Sequence, residues 1–121
     1  MGSSAGSDRR AALGHLGEER AAAHYRARGY AVLARNWRCR IGEIDLVASR
    51  GEVLVVCEVK TRRRDTYGQP YEAVTVAKQR RLRHLAAAYL ASQEQHRYYD
   101  EIRFDVVSIL GPSLRIIQGA F

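Results

Sequence analysis

Alanine-rich helical composition runs from about Arg10 to Arg28, and Gly29 with Tyr30 supplies a stop and a change of period. Three extended runs follow. Tyr30 to Arg38 alternates loosely through Val32, Leu33 and Trp37, Ile41 to Ala48 alternates better, and Val53 to Thr61 is the densest β-branched run in the chain. Between the last two, Ser49-Arg50-Gly51-Glu52 is polar and holds a glycine, which predicts a hairpin and makes the second and third strands antiparallel neighbours. Arg62 to Tyr71 has no period and reads as a mobile loop. A second helix is predicted from Thr75, its N-cap, to about Gln93, with Leu82, Leu85, Ala86 and Tyr89 as the buried stripe. Glu101 to Leu110 and Leu114 to Gln118 are two further strands around a Gly111-Pro112-Ser113 turn. The order α, β, β, β, α, β, β predicts an α/β domain, a small mixed sheet with helices packed on it.

A length of 121 residues suits one domain, read here as residues 10–121 behind a flexible Gly/Ser-rich tail at 1–9. Hydrophobic residues make up 46% and charged ones 27%, which is enough apolar content to fold. No run approaches the roughly 18 apolar residues of a membrane helix, and the start has no signal-peptide pattern. Cys39 and Cys57 are too few and too far apart for a disulfide framework or a zinc site, so a reducing cytoplasm is expected. Lys and Arg number 20 against 13 Asp and Glu, a net charge of +7 that points to a polyanionic partner.

Candidate chemistry sits on the second and third strands. Side chains alternate across a strand, so Glu58 and Lys60 share one face while Cys57 and Val59 share the other. A symmetric turn centred on Gly51-Glu52 sets Asp45 opposite Glu58 and places Glu43 on the same face. Facing carboxylates repel unless a cation lies between them, and Mg²⁺ is a natural occupant, held by Asp45, Glu58 and the Val59 carbonyl. Lys60 can then orient or deprotonate an attacking water, or offset charge on the phosphorane. Only Lys60 and Lys78 are lysines among the 20 cations, and arginine cannot serve as a base. The plainer alternative is a hairpin whose acids pair with Lys60 or nearby arginines. Glu18 lies on the inward stripe Glu18, Ala21, Ala22, Tyr25, whereas Glu19 is turned about 100° toward solvent. Its alternative role is an interaction with the helix dipole or Arg10.

Gly42-Glu43-Ile44-Asp45-Leu46, the following Glu58-Val59-Lys60 and the preceding Gly17-Glu18 resemble the PD-(D/E)xK nuclease superfamily. With Gly29-Tyr30, Arg35-Asn36-Trp37-Arg38 and Lys78, Arg80, Arg81, Leu82, nearly the whole chain is similar to the bacterial YraN-like family of small endonuclease-like proteins, related to the archaeal Holliday junction resolvases. Ile44 stands where the superfamily name has Pro. The resemblance implies a restriction-endonuclease-like αβββαβ core with extra C-terminal strand. It implies Mg²⁺ or Mn²⁺ held by Asp45 and Glu58, Lys60 at the attacking water, and phosphodiester hydrolysis leaving a 5′-phosphate. Glu18 matches the helix-1 acid of the resolvase-like branch, and a homodimer is implied by the same likeness.

The remaining cations fall into two groups, Arg62-Arg63-Arg64 after Lys60 and Lys78, Arg80, Arg81, Arg83 in the second helix, a sequence-blind phosphate rim around the acids. The alternative is a solvated arginine-rich surface. Trp37 is read as core rather than a stacking platform, Tyr98-Tyr99 as packing, and the four histidines show no ligand spacing. The expectation is a metal-dependent endonuclease acting on branched or single-stranded DNA. Its rivals are a non-catalytic DNA-binding module for repair, recombination or uptake, and an adaptor for ribosomal RNA or an acidic protein.

Overall fold

The computed structural model describes residues 5–62 and 74–121, the side chains of 5–13 aside. The expected loop beyond Arg62, with Arg63 and Arg64, lies outside the described residues. The elements are α1 (Ala5–Ala27), β1 (Ala31–Arg38), β2 (Glu43–Arg50), β3 (Val53–Arg62), α2 (Val76–Ser92), β4 (Glu101–Leu110) and β5 (Ser113–Ile117). The five strands form one mixed α/β sheet in the order β1-β2-β3-β4-β5. Only β3 and β4 run parallel, because α2 carries the chain across between them.

The predicted order holds, and the boundaries shift in three places. Helix α1 begins at Ala5, inside the stretch read as a tail. Ser49, read as part of the connection, is a buried β2 residue, and the turn is Gly51-Glu52 alone, with Gly51 at φ +58°. A two-residue turn of this kind favours glycine in the left-handed region. Tyr98, read as packing, is 71% exposed, while Tyr99 packs against the α2-side core under the Arg97 guanidinium.

Each helix covers one sheet face. Ala21, Ala22 and Tyr25 of α1 pack on Leu46, Ala48, Val55, Cys57, Val107 and Ile109. Leu82, Leu85, Ala86 and Tyr89, the predicted stripe, pack with Ile44, Val47, Leu54, Val56 and Phe104 on the other face. Burying a side chain such as Leu85 or Ile109 contributes roughly 1.5–3 kcal/mol. Thr75 caps α2 as expected, its hydroxyl accepting from the Lys78 N–H at 3.1 Å. Trp37 is core-side, edge-on to the Tyr89 ring at 5.4 Å. A second anchor went unread in the sequence: buried Asp105 accepts from Tyr25 Oη at 2.7 Å, from Arg103 at 2.9 Å through two nitrogens, and from the Gly119 N–H at 3.1 Å. This fully partnered carboxylate ties α1, β4 and the C-terminal segment together.

Candidate functional site

The β2–β3 ladder runs from Arg50↔Val53 to Leu46↔Cys57, the register a symmetric Gly51-Glu52 turn demands. One step further on, the Val59 N–H donates not to a backbone carbonyl but to Asp45 Oδ2, at 2.8 Å. Side-chain alternation in β2 breaks at the same point, since Ile44 packs on the α2 side and Leu46 on the α1 side, two residues apart. Face parity holds only while a ladder continues. The expected placement of Glu43, Asp45 and Glu58 on one face is therefore modified by this fork.

Two groups of side chains meet there. Glu18 of α1 and Glu43 and Asp45 of β2 offer carboxylate oxygens that all lie within 4.8 Å of one another. Each acid is held separately. Glu18 Oε1 accepts from Asn36 Nδ2 at 3.0 Å with His15 Nδ1 3.8 Å away, Glu43 accepts from Arg38 Nε at 2.8 Å, and Asp45 from Val59. Glu19, as expected, points away and pairs with Arg35 at 2.6 Å. A cavity of about 380 Å³ lined by Gly14, His15, Glu18, Asn36 and Arg38 opens beside the cluster.

The second group centres on Glu58, buried to 8% exposure. Its Oε1 lies 2.6 Å from Lys78 Nζ and 3.4 Å from Lys60 Nζ. Glu58 and Lys60 share a face, and Val59 turns back toward the α1 core, as alternation requires. Lys78, assigned by sequence to the phosphate rim, is also a partner of the buried acid.

Burial, then the neighbouring Glu58 carboxylate, push the Asp45 carboxyl up to about 7, with Glu18 and Glu43 adding in the same direction against the Val59 hydrogen bond. The two acid groups are thus close enough to interact. Burial, followed by contact with Lys78, lowers Lys60. Lys78 is raised: burial opposes it, and its bonds to Glu58 and Lys60 win. Three carboxylates from two elements, one of them costly to ionise, make a hard-oxygen donor set of the kind Mg²⁺ and Mn²⁺ take. Glu18 and Asp45 belong to it, Glu43 joins them, and Glu58 stands next to it bound by lysines.

Of the expected rim, Arg80 and Arg81 are exposed on α2, and the Arg81 stem lies against Gly42 in the β1–β2 turn beside the acids. Arg83 is turned elsewhere, its guanidinium over the Phe104 and Phe121 rings at 5.1 and 5.6 Å. Arg62 ends β3 and is half-buried. No helix among the described residues is long and apolar enough to cross a membrane.

Residues 17–109 match the model of the Uncharacterised protein family UPF0102, a span that contains every residue of both acid groups. A UPF0102 protein of Acidothermus cellulolyticus is 50% identical to this chain, covering 93% of it and 95% of its own length. One from Rhodococcus opacus is 49% identical over 91% and 96%. One from Symbiobacterium thermophilum is 52% identical over 90% and 95%. With the family span covering the Glu18-bearing part of α1, the forked strands and the lysine-bearing helix alike, the chain belongs to the UPF0102 family.

Proposed function

We propose that this protein is a metal-dependent phosphodiesterase of the PD-(D/E)xK type, close to YraN-like and resolvase-like nucleases, acting on branched or single-stranded DNA. The observation that carries the reading is the acid cluster Glu18, Glu43, Asp45 set directly beside the Glu58–Lys60–Lys78 group. An isolated ion pair at a sheet end needs one acid and one base. Four converging acids with the chain's only two lysines exceed that need.

When bound, Mg²⁺ or Mn²⁺ supplies charge neutralisation at the scissile phosphate and acidifies water. Asp45, Glu18 and Glu43 would hold it, with Glu58 reaching it by exchanging a lysine contact. Lys60 orients the attacking water and, as the neutral amine, takes its proton as the oxygen–phosphorus bond forms. The P–O3′ bond then breaks, leaving a 5′-phosphate and a 3′-oxygen that takes a proton from water to become the 3′-hydroxyl. Lys78, fixed by the α2 N-terminus, keeps Glu58 in place and adds positive charge where the phosphorane gains negative charge. Arg80 and Arg81 grip flanking phosphates without reading bases.

Labelled four-way junction, flap, single-stranded and duplex DNA, incubated with and without Mg²⁺ or Mn²⁺, test this. Cation-dependent cutting that Asp45→Asn and Glu58→Ala abolish, with binding retained, supports the reading. Binding without any cutting on the whole panel would favour a non-catalytic DNA-binding module, and binding indifferent to cation and DNA form would reject both.

A further inference from the structure

We infer that Asn36 is the positioning residue that brings the helix-borne acid Glu18 into register with the strand-borne acid Asp45; this rests on the metal-site reading above. Asn36 is the one described residue other than glycine with positive φ, at +52°. It sits inside an eight-residue strand, where extended geometry is the rule. The left-handed region costs an ordinary L-residue free energy, and asparagine tolerates it better than most. The flanking pairs Arg35↔Leu46 and Trp37↔Ile44 keep one register, so no residue is inserted and Asn36 occupies the ladder position facing Asp45.

The conformation has a visible result. Consecutive strand residues ordinarily point to opposite faces. Here Arg35 and Asn36 both reach α1, Arg35 to Glu19 at 2.6 Å and Asn36 Nδ2 to Glu18 Oε1 at 3.0 Å, while Trp37 returns to the α2 side against Tyr89. The twist at Asn36 turns its amide toward the helix. One Glu18 oxygen is thereby pinned beside the cavity shared with His15 and Arg38, and the carboxylate is set within 4.8 Å of Glu43 and Asp45. Glycine would accept the backbone and lose the amide, alanine would lose the amide and strain the backbone, and no side chain but asparagine's combines left-handed tolerance with a neutral amide donor of this length.

The test uses the full chain, Mn²⁺ as the probe, calorimetric titration for affinity and thermal melting in chelator for the fold. Asn36→Gly should melt within about 5 °C of the wild type, because relief at φ offsets the entropy glycine adds. It should bind Mn²⁺ roughly tenfold or more weakly, the usual effect of removing a hydrogen bond that orients a ligand. Glu18→Gln should weaken binding at least as much. Wild-type affinity in Asn36→Gly, with Glu18→Gln impaired, overturns the positioning role alone. Unchanged binding in Glu18→Gln, or no Mn²⁺ binding by the wild type, overturns this inference together with the metal-site reading beneath it.

Discussion

Lys60 and Lys78, 18 positions apart and the only lysines in the chain, meet on one oxygen of Glu58, at 3.4 and 2.6 Å. Each contributes differently, and substitution separates them. On the proposed reading, Lys60→Arg places an always-protonated group that cannot accept the water's proton, so cleavage should fall by about 100-fold or more while DNA affinity holds. Full activity in Lys60→Arg would dismiss its role at the water. Lys78→Met leaves the buried Glu58 carboxylate with its longer contact only, and urea denaturation should show a loss of about 1–2 kcal/mol.

The pH dependence of stability follows from Asp45. Its carboxyl titrates at 3.8 when unhindered and is pushed up to about 7 in the fold, first by burial and then by Glu58. The folded chain therefore holds this proton more tightly than the unfolded one. The associated stabilisation is complete below about pH 4 and is lost as pH rises through about 7. In chelator, Asp45→Asn, which cannot ionise, should gain on the wild type across this window, reaching on the order of 2 kcal/mol at pH 8. Parallel melting curves for the two proteins from pH 4 to 8 would contradict the assignment.

Helix α1 packs tightly against Thr61 of β3 at Gly17, next to Glu18. A Cβ built there overlaps Thr61 Oγ1 and lies 3.4 Å from Thr61 Cβ and 3.5 Å from Ile109 Cδ1. Alanine is favoured over glycine in a helix by about 1 kcal/mol, so propensity alone predicts a gain from Gly17→Ala. Crowding opposes that gain. The variant should lose about 1–3 kcal/mol, and Gly17→Ala with Thr61→Ala should recover most of it. A stabilised single variant would show that the approach is loose.

Salt dependence separates the α2 arginines. Removing Arg80 or Arg81, both exposed on α2, should lower the log–log salt slope of DNA binding by about 1 each on the proposed reading. Arg83→Ala should leave the slope unchanged and reduce stability, because its guanidinium packs over Phe104 and Phe121. A flat salt response in the wild type would remove the phosphate rim altogether.

The strands, the α2 stripe and the β2–β3 register as far as Leu46↔Cys57 were legible because each depends on spacing within one or two neighbouring elements, whereas the shared face expected of Asp45 and Glu58 lies one step past the end of that ladder. Leu82, Leu85, Ala86 and Tyr89 are buried as their period predicts. Glu18 was legible as an inward acid, while its amide partner was not, because Asn36 reaches it only through a backbone conformation that leaves no periodic trace. Lys78 was not legible as a contact of Glu58, for another reason. Its distance to Glu58 depends on how the parallel crossover lays α2 across the sheet, a long-range relation invisible to local pattern. Asp105 escaped notice similarly, as its donors come from positions 25, 103 and 119.

Because the β2–β3 ladder closes at Leu46↔Cys57, the main-chain bonds that hold these two strands together lie behind the carboxylates. Charge-neutral replacements at Glu43 or Asp45 therefore leave the rungs intact, and the Val59 N–H keeps an acceptor if Asp45 becomes Asn. On the proposed reading, such proteins should remain well-formed baits, able to retain a nucleic acid they do not cut and to report, by sequencing what they hold, which strands the living cell presents to them.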